Sequence, residues 1–600
     1  MTDENKINIP VGETHNEGLK DESNYLRGDL AESLNVAIDG SVSEDDSQLT
    51  KFHGTYMQDD RDLRANRRKK FLDKAYSFMI RVRVAGGLCS PQQWLHMDYI
   101  ADNYANGTIK LTTRQAFQFH GVIKNNLKKT MQEINSVCLD TVAACGDVNR
   151  NVMCNPNPHA GKHYPAAQKL AEDISDHLTP RTGAYHEIWL QDRDENGDLK
   201  LFETSKAIKE TIAHREANPD ADEEEPIYGK LYLPRKFKTV IAVPPSNDVD
   251  IFAHCLGYIA IIDENDELIG WNVTVGGGMG MTHGDENTFP RTADILGFCT
   301  PEQALEVAEA VVITQRDNGN RDNRKRARCK YTVEDMGIEA FRAYVEKTLG
   351  YKLQEAKPFK FDDRGERYGW TKGTDNKNHY TLYIENGRVK DTQNFKMKTG
   401  LAEIAKIHKG DFRLTNNQGL IIGSVADEDK PSIEALLEKY GFDDLSQSGL
   451  RKNSMACVSL PTCGLALAES ERYLPDLVTL IEKEFEAVGL RDKEVVIRMT
   501  GCPNGCARPY LAEIGFVGTG PNKYNLYLGA AHNGERLNKL YMESVLDADV
   551  PDILRPIIQD YAKNKQGDEH FGDFTIRAGY VNETTAGNQF HIGTGDLKAG

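Results

Sequence analysis

The residues best suited to chemistry are four cysteines near the end of the chain. Cys457 and Cys463 form a C-x5-C pair. Cys502 and Cys506 form a C-x3-C pair inside Thr500-Gly501-Cys502-Pro503-Asn504-Gly505-Cys506. Four thiolates carried by two short loops match the ligand set of a cubane iron–sulfur cluster. Gly501, Pro503, Asn504 and Gly505 suit a tight turn whose amides can point at a sulfur-bound metal. A structural zinc is the sharper alternative, although zinc knuckles use closer cysteine spacings than C-x5-C. Four thiols with no metal at all is the third reading. The other seven cysteines (Cys89, Cys138, Cys145, Cys154, Cys255, Cys299 and Cys329) are scattered and read as small buried hydrophobes.

The run Thr500-Gly501-Cys502-x3-Cys506-x6-Glu513-Ile514-Gly515-Phe516 resembles the signature of the sulfite and nitrite reductase family, which couples siroheme to a 4Fe-4S cluster. Further segments carry the same resemblance toward the assimilatory sulfite-reducing members: Asn24-Tyr25-Leu26-Arg27-Gly28, Lys110-Leu111-Thr112-Thr113-Arg114-Gln115, Asn149-Arg150-Asn151, Leu233-Pro234-Arg235-Lys236-Phe237-Lys238 and Gly572-Asp573-Phe574. The resemblance implies six-electron reduction of sulfite to sulfide. It implies that Cys457, Cys463 and Cys502 hold the cluster with Cys506, whose thiolate is also axial to the siroheme iron. It assigns substrate handling to Arg81, Arg150, Lys236 and Lys238. Physics agrees: a small dianion needs fixed donors, arginine offers a permanent fork, and lysine can attract the anion and donate a proton. Siroheme carries eight carboxylates, so Arg114, Arg235 and Arg328, with Lys110 beside them, are the expected counter-charges. Gln118, His120, Asn149 and Asn504 are expected hydrogen-bonding partners; His120 is not read as a metal ligand.

The chain has 600 residues, 39% apolar and 27% charged, and a net charge of −18. These values describe a globular protein of several lobes and argue against general nucleic-acid binding. Any anion site must be a local basic cluster that overrides a repulsive global field. The N-terminus shows no apolar signal-like run and no stretch reaches membrane-spanning length, so a cytoplasmic setting is expected. The run Gly276-Gly277-Gly278-Met279-Gly280 does not match a dinucleotide-binding spacing. With no flavin or NADPH site legible, electrons must come from another protein; the resemblance implies a flavoprotein (alpha) subunit.

Order along the chain suggests a duplication. Lys110–Gln115 parallels Arg413–Gln418, Asn151–Cys154 parallels Asn453–Cys457, and Val240–Pro244 parallels Val496–Met499. The offset is 302 at Met153/Met455 and 256 at Val243/Met499, which gives the first copy 46 extra residues. The surplus is assigned to an acidic, solvated excursion near 192–229 that holds Asp222-Glu223-Glu224-Glu225. The expected architecture is α+β: two pseudo-two-fold halves of mixed and antiparallel sheets, with helices, around a central siroheme. The expected segments are a flexible partner-docking tail over 1–50, a ferredoxin-like half over 51–135 and a siroheme lobe over 136–345. A second ferredoxin-like half over 346–430 and a siroheme and cluster lobe over 431–600 follow. In the tail, Tyr25, Leu26, Leu30 and Leu34 are spaced for one helical face.

Strands are predicted near Phe78–Val84, Val240–Val243, Tyr258–Ile262, Tyr380–Ile384, Val495–Met499 and Tyr524–Leu528, and helices over Pro301–Ile313 and Asp476–Val488. Competing functions are nitrite reduction with the same cofactors, a ferredoxin-dependent sulfite reductase and a zinc-stabilised scaffold. Lys238 favours sulfite, since nitrite-reducing relatives commonly carry asparagine there.

Overall fold

A computed structural model describes residues 14–36, 40–193, 199–218 and 223–592. Two five-stranded antiparallel sheets share one topology. The first runs Thr55–Asp59, Tyr76–Arg81, Phe117–Val122, Ile109–Leu111, Arg388–Val389; the second runs Gly369–Lys372, Asn378–Leu382, Leu420–Val425, Asp411–Leu414, Leu88–Cys89. The fifth strand of each sheet comes from the other half of the chain. Arg388 pairs with Lys110, and Arg413 pairs with Leu88. This exchange locks the two copies together through backbone hydrogen bonds.

Glycine makes the exchange possible. Gly87 and Gly387 both have positive φ, and a Cβ there would lie 2.7 Å from the Leu414 carbonyl and 2.3 Å from the Leu111 carbonyl. Two glutamines finish the joint. Gln115 Nε2 donates to the carbonyls of Leu414 (2.9 Å) and Cys154 (2.8 Å), and Gln418 Nε2 donates to that of Ala456 (2.9 Å). The parallel between Lys110–Gln115 and Arg413–Gln418 is therefore a structural equivalence.

Two further sheets also match. Met153–Cys154, Thr239–Ala242 and Leu256–Ile262 are parallel, and Leu268–Val275 and Asp294–Cys299 extend them antiparallel. Ser454–Ala456, Ile497–Thr500, Ile514–Gly520, Lys523–Leu528 and Lys539–Leu546 repeat that order. The helix Leu474–Ala487 covers the last sheet with Leu474, Leu477, Val478, Ile481 and Phe485, one apolar stripe at helical spacing. Gly489, at φ +76°, follows its end.

The structure corrects three expectations. Sheet pairing aligns Met153 with Val240 and Met455 with Arg498, so Met499 is equivalent to Ile241 rather than Val243. The offset there is 258, the surplus 44 residues, and the slip of two kept every side chain on its proper face. Second, the described part of the segment expected as a flexible tail is packed. Leu26 and Leu30 are buried, Leu34 lies against the same core, and Arg27 forks onto Glu187 at 2.7 Å. Residues 1–13 and 37–39 lie outside the described residues.

Third, the acidic run is only partly solvated where it is described: Glu224 is exposed, but Glu223 and Glu225 are not. Glu223 pairs with Arg27 at 2.8 Å and also with Arg215, while Glu225 is buried and accepts from the Arg181 amide at 2.8 Å. Asp222 is outside the described residues. Glu223 of the insertion pairs with Arg27 of the N-terminal segment, an arrangement that local composition cannot reveal.

Candidate active site

The four cysteines arrive from two neighbouring strand ends. Cys457 follows Ser454–Ala456, Cys502 and Cys506 follow Ile497–Thr500, and the parallel pairing of these strands puts the loops side by side. Cys463 closes the set from the 457–463 loop, and all four line one cavity of about 600 Å³. Gly501 has no room for a side chain: a Cβ would meet Ser459 Oγ at 1.9 Å. Its amide points at Cys457 Sγ (3.4 Å), and Asn504 Nδ2 points at Cys502 Sγ (3.5 Å). Burial and the neighbouring Cys506 push the Cys502 thiol up to about 12, and Cys457 and Cys463 rise for the same reasons. A cation that replaced the protons would relieve this crowding, so the donor set fits a thiolate-bound metal cluster.

The rest of the cavity wall is basic. Lys20, Lys51, Arg81, Lys110, Arg150, Arg235, Lys236 and Arg324 line it, against one carboxylate, Asp147. That carboxylate is committed to Arg324 (2.9 Å) and lies 3.7 Å from Arg235. Burial, then Arg235 and Arg150, drive Lys236 far below its ordinary range; burial, then Arg114 and Lys236, do so for Lys238. Cations that repel one another in a wall with so few carboxylates would be relieved by an anionic occupant. The wall therefore fits a polycarboxylate macrocycle and a small anion.

The predicted residues divide into three groups. Arg81, Gln118, His120, Arg150, Arg235, Lys236 and Asn504 line the cavity. Gln118 accepts from Arg81 (3.0 Å) and contacts His120 Nε2 (2.8 Å), a chain that fixes the Arg81 fork. Lys110 also lines it, but its ammonium sits 2.8 Å from Glu471. Against the push of burial, Lys110 and Arg388 hold the Glu471 carboxyl down to about 2, so Lys110 is a compensated charge. Arg114, Asn149, Lys238 and Arg328 stand behind the lining. Arg114 contacts His254 Nδ1 (2.9 Å), and Asn149 accepts from Thr239 (2.8 Å). Arg328 Nε is buried without a partner, and the glycine run passes beside its guanidinium. That run is a packing device: a Cβ on Gly280 would lie 2.9 Å from the Asn504 carbonyl, and the Met281 amide donates to Pro503 (3.0 Å).

Sequence reasoning missed several neighbours. Burial, with Arg324 and Arg235, pushes Lys51 in the cavity wall down to about 8. Arg61 holds the loop after Cys457 through the carbonyls of Cys463 (3.2 Å) and Ala466 (2.6 Å). Thr113 donates to the Cys506 carbonyl (3.0 Å). Asp250 binds Arg498 and Arg508, each at 2.6 Å, across the junction of the copies. Only the equivalence of the 239–256 and 497–514 segments could have signalled that last cluster. One cysteine differs from its reading: Cys138 is exposed, whereas Cys145 is buried as expected, its Sγ accepting from Arg81 at 2.9 Å beside the cavity.

A second group with ligand chemistry, Glu513, His532 and His570, is structural. Glu513 accepts from the amides of Val496 (2.8 Å) and Gly572 (3.0 Å) and from His532 (3.0 Å). The two imidazoles stack 3.8 Å apart and nearly parallel, so their lone pairs do not converge.

Comparison with known proteins decides the family. A family model described as nitrite/sulfite reductase ferredoxin-like half domain matches residues 72–137 and 372–440, one stretch in each copy. A model described as nitrite and sulphite reductase 4Fe-4S domain matches 171–353. A protein from Methylorubrum extorquens strain AM1 is 58% identical over 98% of this chain and 93% of its own length. One from Oceanobacillus iheyensis is 53% identical over 99% of both chains. Both bear the name sulfite reductase (NADPH) hemoprotein beta-component. The chain belongs to the nitrite and sulfite reductase family. The Mycobacterium tuberculosis NirA structure, 24% identical, superimposes with a TM-score of 0.74 over 95% of this chain and 97% of its own, which shows the shared fold. The 4Fe-4S model matches the first copy, which lacks all four cavity cysteines. The four cavity cysteines lie outside that matched range, in the second copy. Among the described residues no helix is long and apolar enough to cross a membrane.

Proposed function

We propose that this chain is the hemoprotein component of an NADPH-linked assimilatory sulfite reductase and reduces sulfite to sulfide. The observation that carries the reading is one cavity with four cysteines on one side and a carboxylate-poor basic wall on the other. Cys457, Cys463, Cys502 and Cys506 would hold a 4Fe-4S cluster, and the cavity beside Cys506 would take siroheme. Arg235, Arg114 and Arg328 would balance the siroheme carboxylates. Bound there, siroheme and cluster supply a sulfur-binding iron and a store that passes electrons singly.

The chain's own residues handle the anion and its protons. Arg81, held by Gln118, and Arg150, held by the Gly146 carbonyl at 3.1 Å, present fixed forks for sulfite oxygens. Lys236 and Lys238 would donate protons as oxygen leaves as water; their lowered proton affinity suits them to that work. Lys51 stands in the same wall as a further source. The names of the relatives support a flavoprotein (alpha) partner as electron source, and the free thiols suit a reducing cytoplasm.

The test is an optical spectrum of the purified protein, then turnover with a reduced dye. Strong visible absorption and sulfide formation, with sulfite preferred over nitrite, are expected. A colourless protein containing zinc would overturn the reading. A marked preference for nitrite would move the chain to the sister reaction and remove Lys238 as the discriminator.

A further inference from the structure

The segment between the first two strands, Asp59 to Tyr76, does nothing for the core. Its helix, Arg64–Lys69, has no buried residue, and Phe71 just beyond it is 98% exposed. Leu63 and Leu72 are also exposed. An aromatic ring left wholly in water at the tip of an ordered excursion is a feature that folding alone does not favour. The charge is equally unusual. From Asp59 to Tyr76 there are seven cations and four carboxylates, in a chain of net charge −18. Arg64 is paired with Asp59, but Arg68, Lys69 and Lys70 make no ion pair among the described residues.

The excursion is also anchored at the place where electrons would enter. The Arg61 amide donates to the Pro461 carbonyl (3.1 Å), and its guanidinium holds the carbonyls of Cys463 and Ala466. Asp62 pairs with Arg472 at 2.6 Å. Between those anchors Leu465 is 68% exposed, and Leu467 is exposed beside it. The basic, apolar excursion therefore stands on the loop that carries a cluster cysteine.

We propose that the 61–72 excursion together with Leu465 is the docking surface for an acidic protein bearing a one-electron flavin. This deepens the reading above and rests on it. The charges attract and orient the partner, and Phe71 supplies the anchor that a small, short-lived electron-transfer contact needs. Because the chain's net charge of −18 repels an acidic partner elsewhere on its surface, the basic excursion is the place where such a partner can approach.

The test uses the full-length holoprotein and NADPH-reduced sulfite reductase flavoprotein, without sulfite. Bleaching of the visible spectrum reports electron arrival. Wild-type bleaching should slow steeply with added salt. The triple variant Arg68→Glu, Lys69→Glu, Lys70→Glu should need about ten times more flavoprotein for the same rate and lose the salt dependence, and Phe71→Ser should weaken docking with the salt dependence kept. Dye-driven sulfide production, measured separately, should be unchanged in every variant and reports on the proposed function alone. Variants that bleach like wild type at every salt concentration would overturn the docking surface. So would variants that lose binding only to vesicles of anionic phospholipid, which would make the excursion a membrane contact.

Discussion

The two copies of the repeat meet at one junction and present opposite chemistry to it. From Thr239 to Leu256 and from Ile497 to Ile514 the segments are equal in length, and both sheet registers agree. Asp250 and Arg508 occupy the same left-handed position, before the short helices Ile251–Ala253 and Pro509–Leu511. Across the pseudo-axis they bind each other at 2.6 Å. Where the second copy carries Cys502 and Cys506, the first carries Pro244 and Asp248; where the second has Cys457, the first has Asn155. Asp248 is buried, and burial and Glu366 push its carboxyl well up. The backbone template was kept, while one copy took cysteines and the other supplied Arg150 and Lys236 to the opposite wall, with Lys238 behind it. Duplication gave a single cavity two walls that could diverge independently.

The sharpest way to break this comparison is to remove the cavity cysteine Cys506. Cys506→Ser should lose the visible spectrum and more than about 100-fold of sulfite reduction, since even residues that only support metal ligands cost 10–100-fold. Cys154→Ser, in the first copy's counterpart of the strand that leads to Cys457, should keep both. An intact spectrum in the first variant, or a lost one in the second, would place the metal elsewhere. The basic wall should respond differently. Lys236→Ala and Lys238→Ala should keep the spectrum but slow dye-driven sulfide production by about 100-fold, in the range for a positioned proton donor. Normal turnover in both single variants would confine these lysines to cofactor charge balance.

The duplication, the cysteine quartet and most of the basic wall were legible because they rest on local patterns. Strand alternation placed Arg81 on a strand, and the glycines around Cys502 announced a crowded turn. What stayed hidden depends on distant pairing. Lys110 looked like a free counter-charge until Glu471, far along the chain, was found 2.8 Å from it. The 14–50 segment looked loose because its hydrophobic residues are few. It is held by Leu26 and Leu30 in the core and by Arg27 on Glu187 and Glu223. The same blindness made the acidic run look solvated: Arg27, one partner of Glu223, lies almost two hundred positions upstream.

The insertion unique to the first copy offers the smallest and most specific test. Glu225 is buried there, accepting from the Arg181 amide and from the Tyr232 hydroxyl at 3.3 Å, and burial raises its carboxyl to about 7. A carboxyl with a folded value of about 7 and an ordinary value of 4.5 holds more protons in the folded state between those limits. Folding stability from this group therefore falls as pH rises from about 4.5 to 7, and the loss is complete above 7. Glu225→Gln cannot ionise and keeps an oxygen for the Arg181 amide. Its melting temperature relative to wild type should thus rise between pH 5 and pH 8, by on the order of a degree or two in a chain of this size. The second copy has no such group in its shorter connection, so the effect isolates the insertion. A melting difference that does not change with pH would show that Glu225 is solvated or already paired with a cation. The insertion would then be the surface excursion its composition suggests.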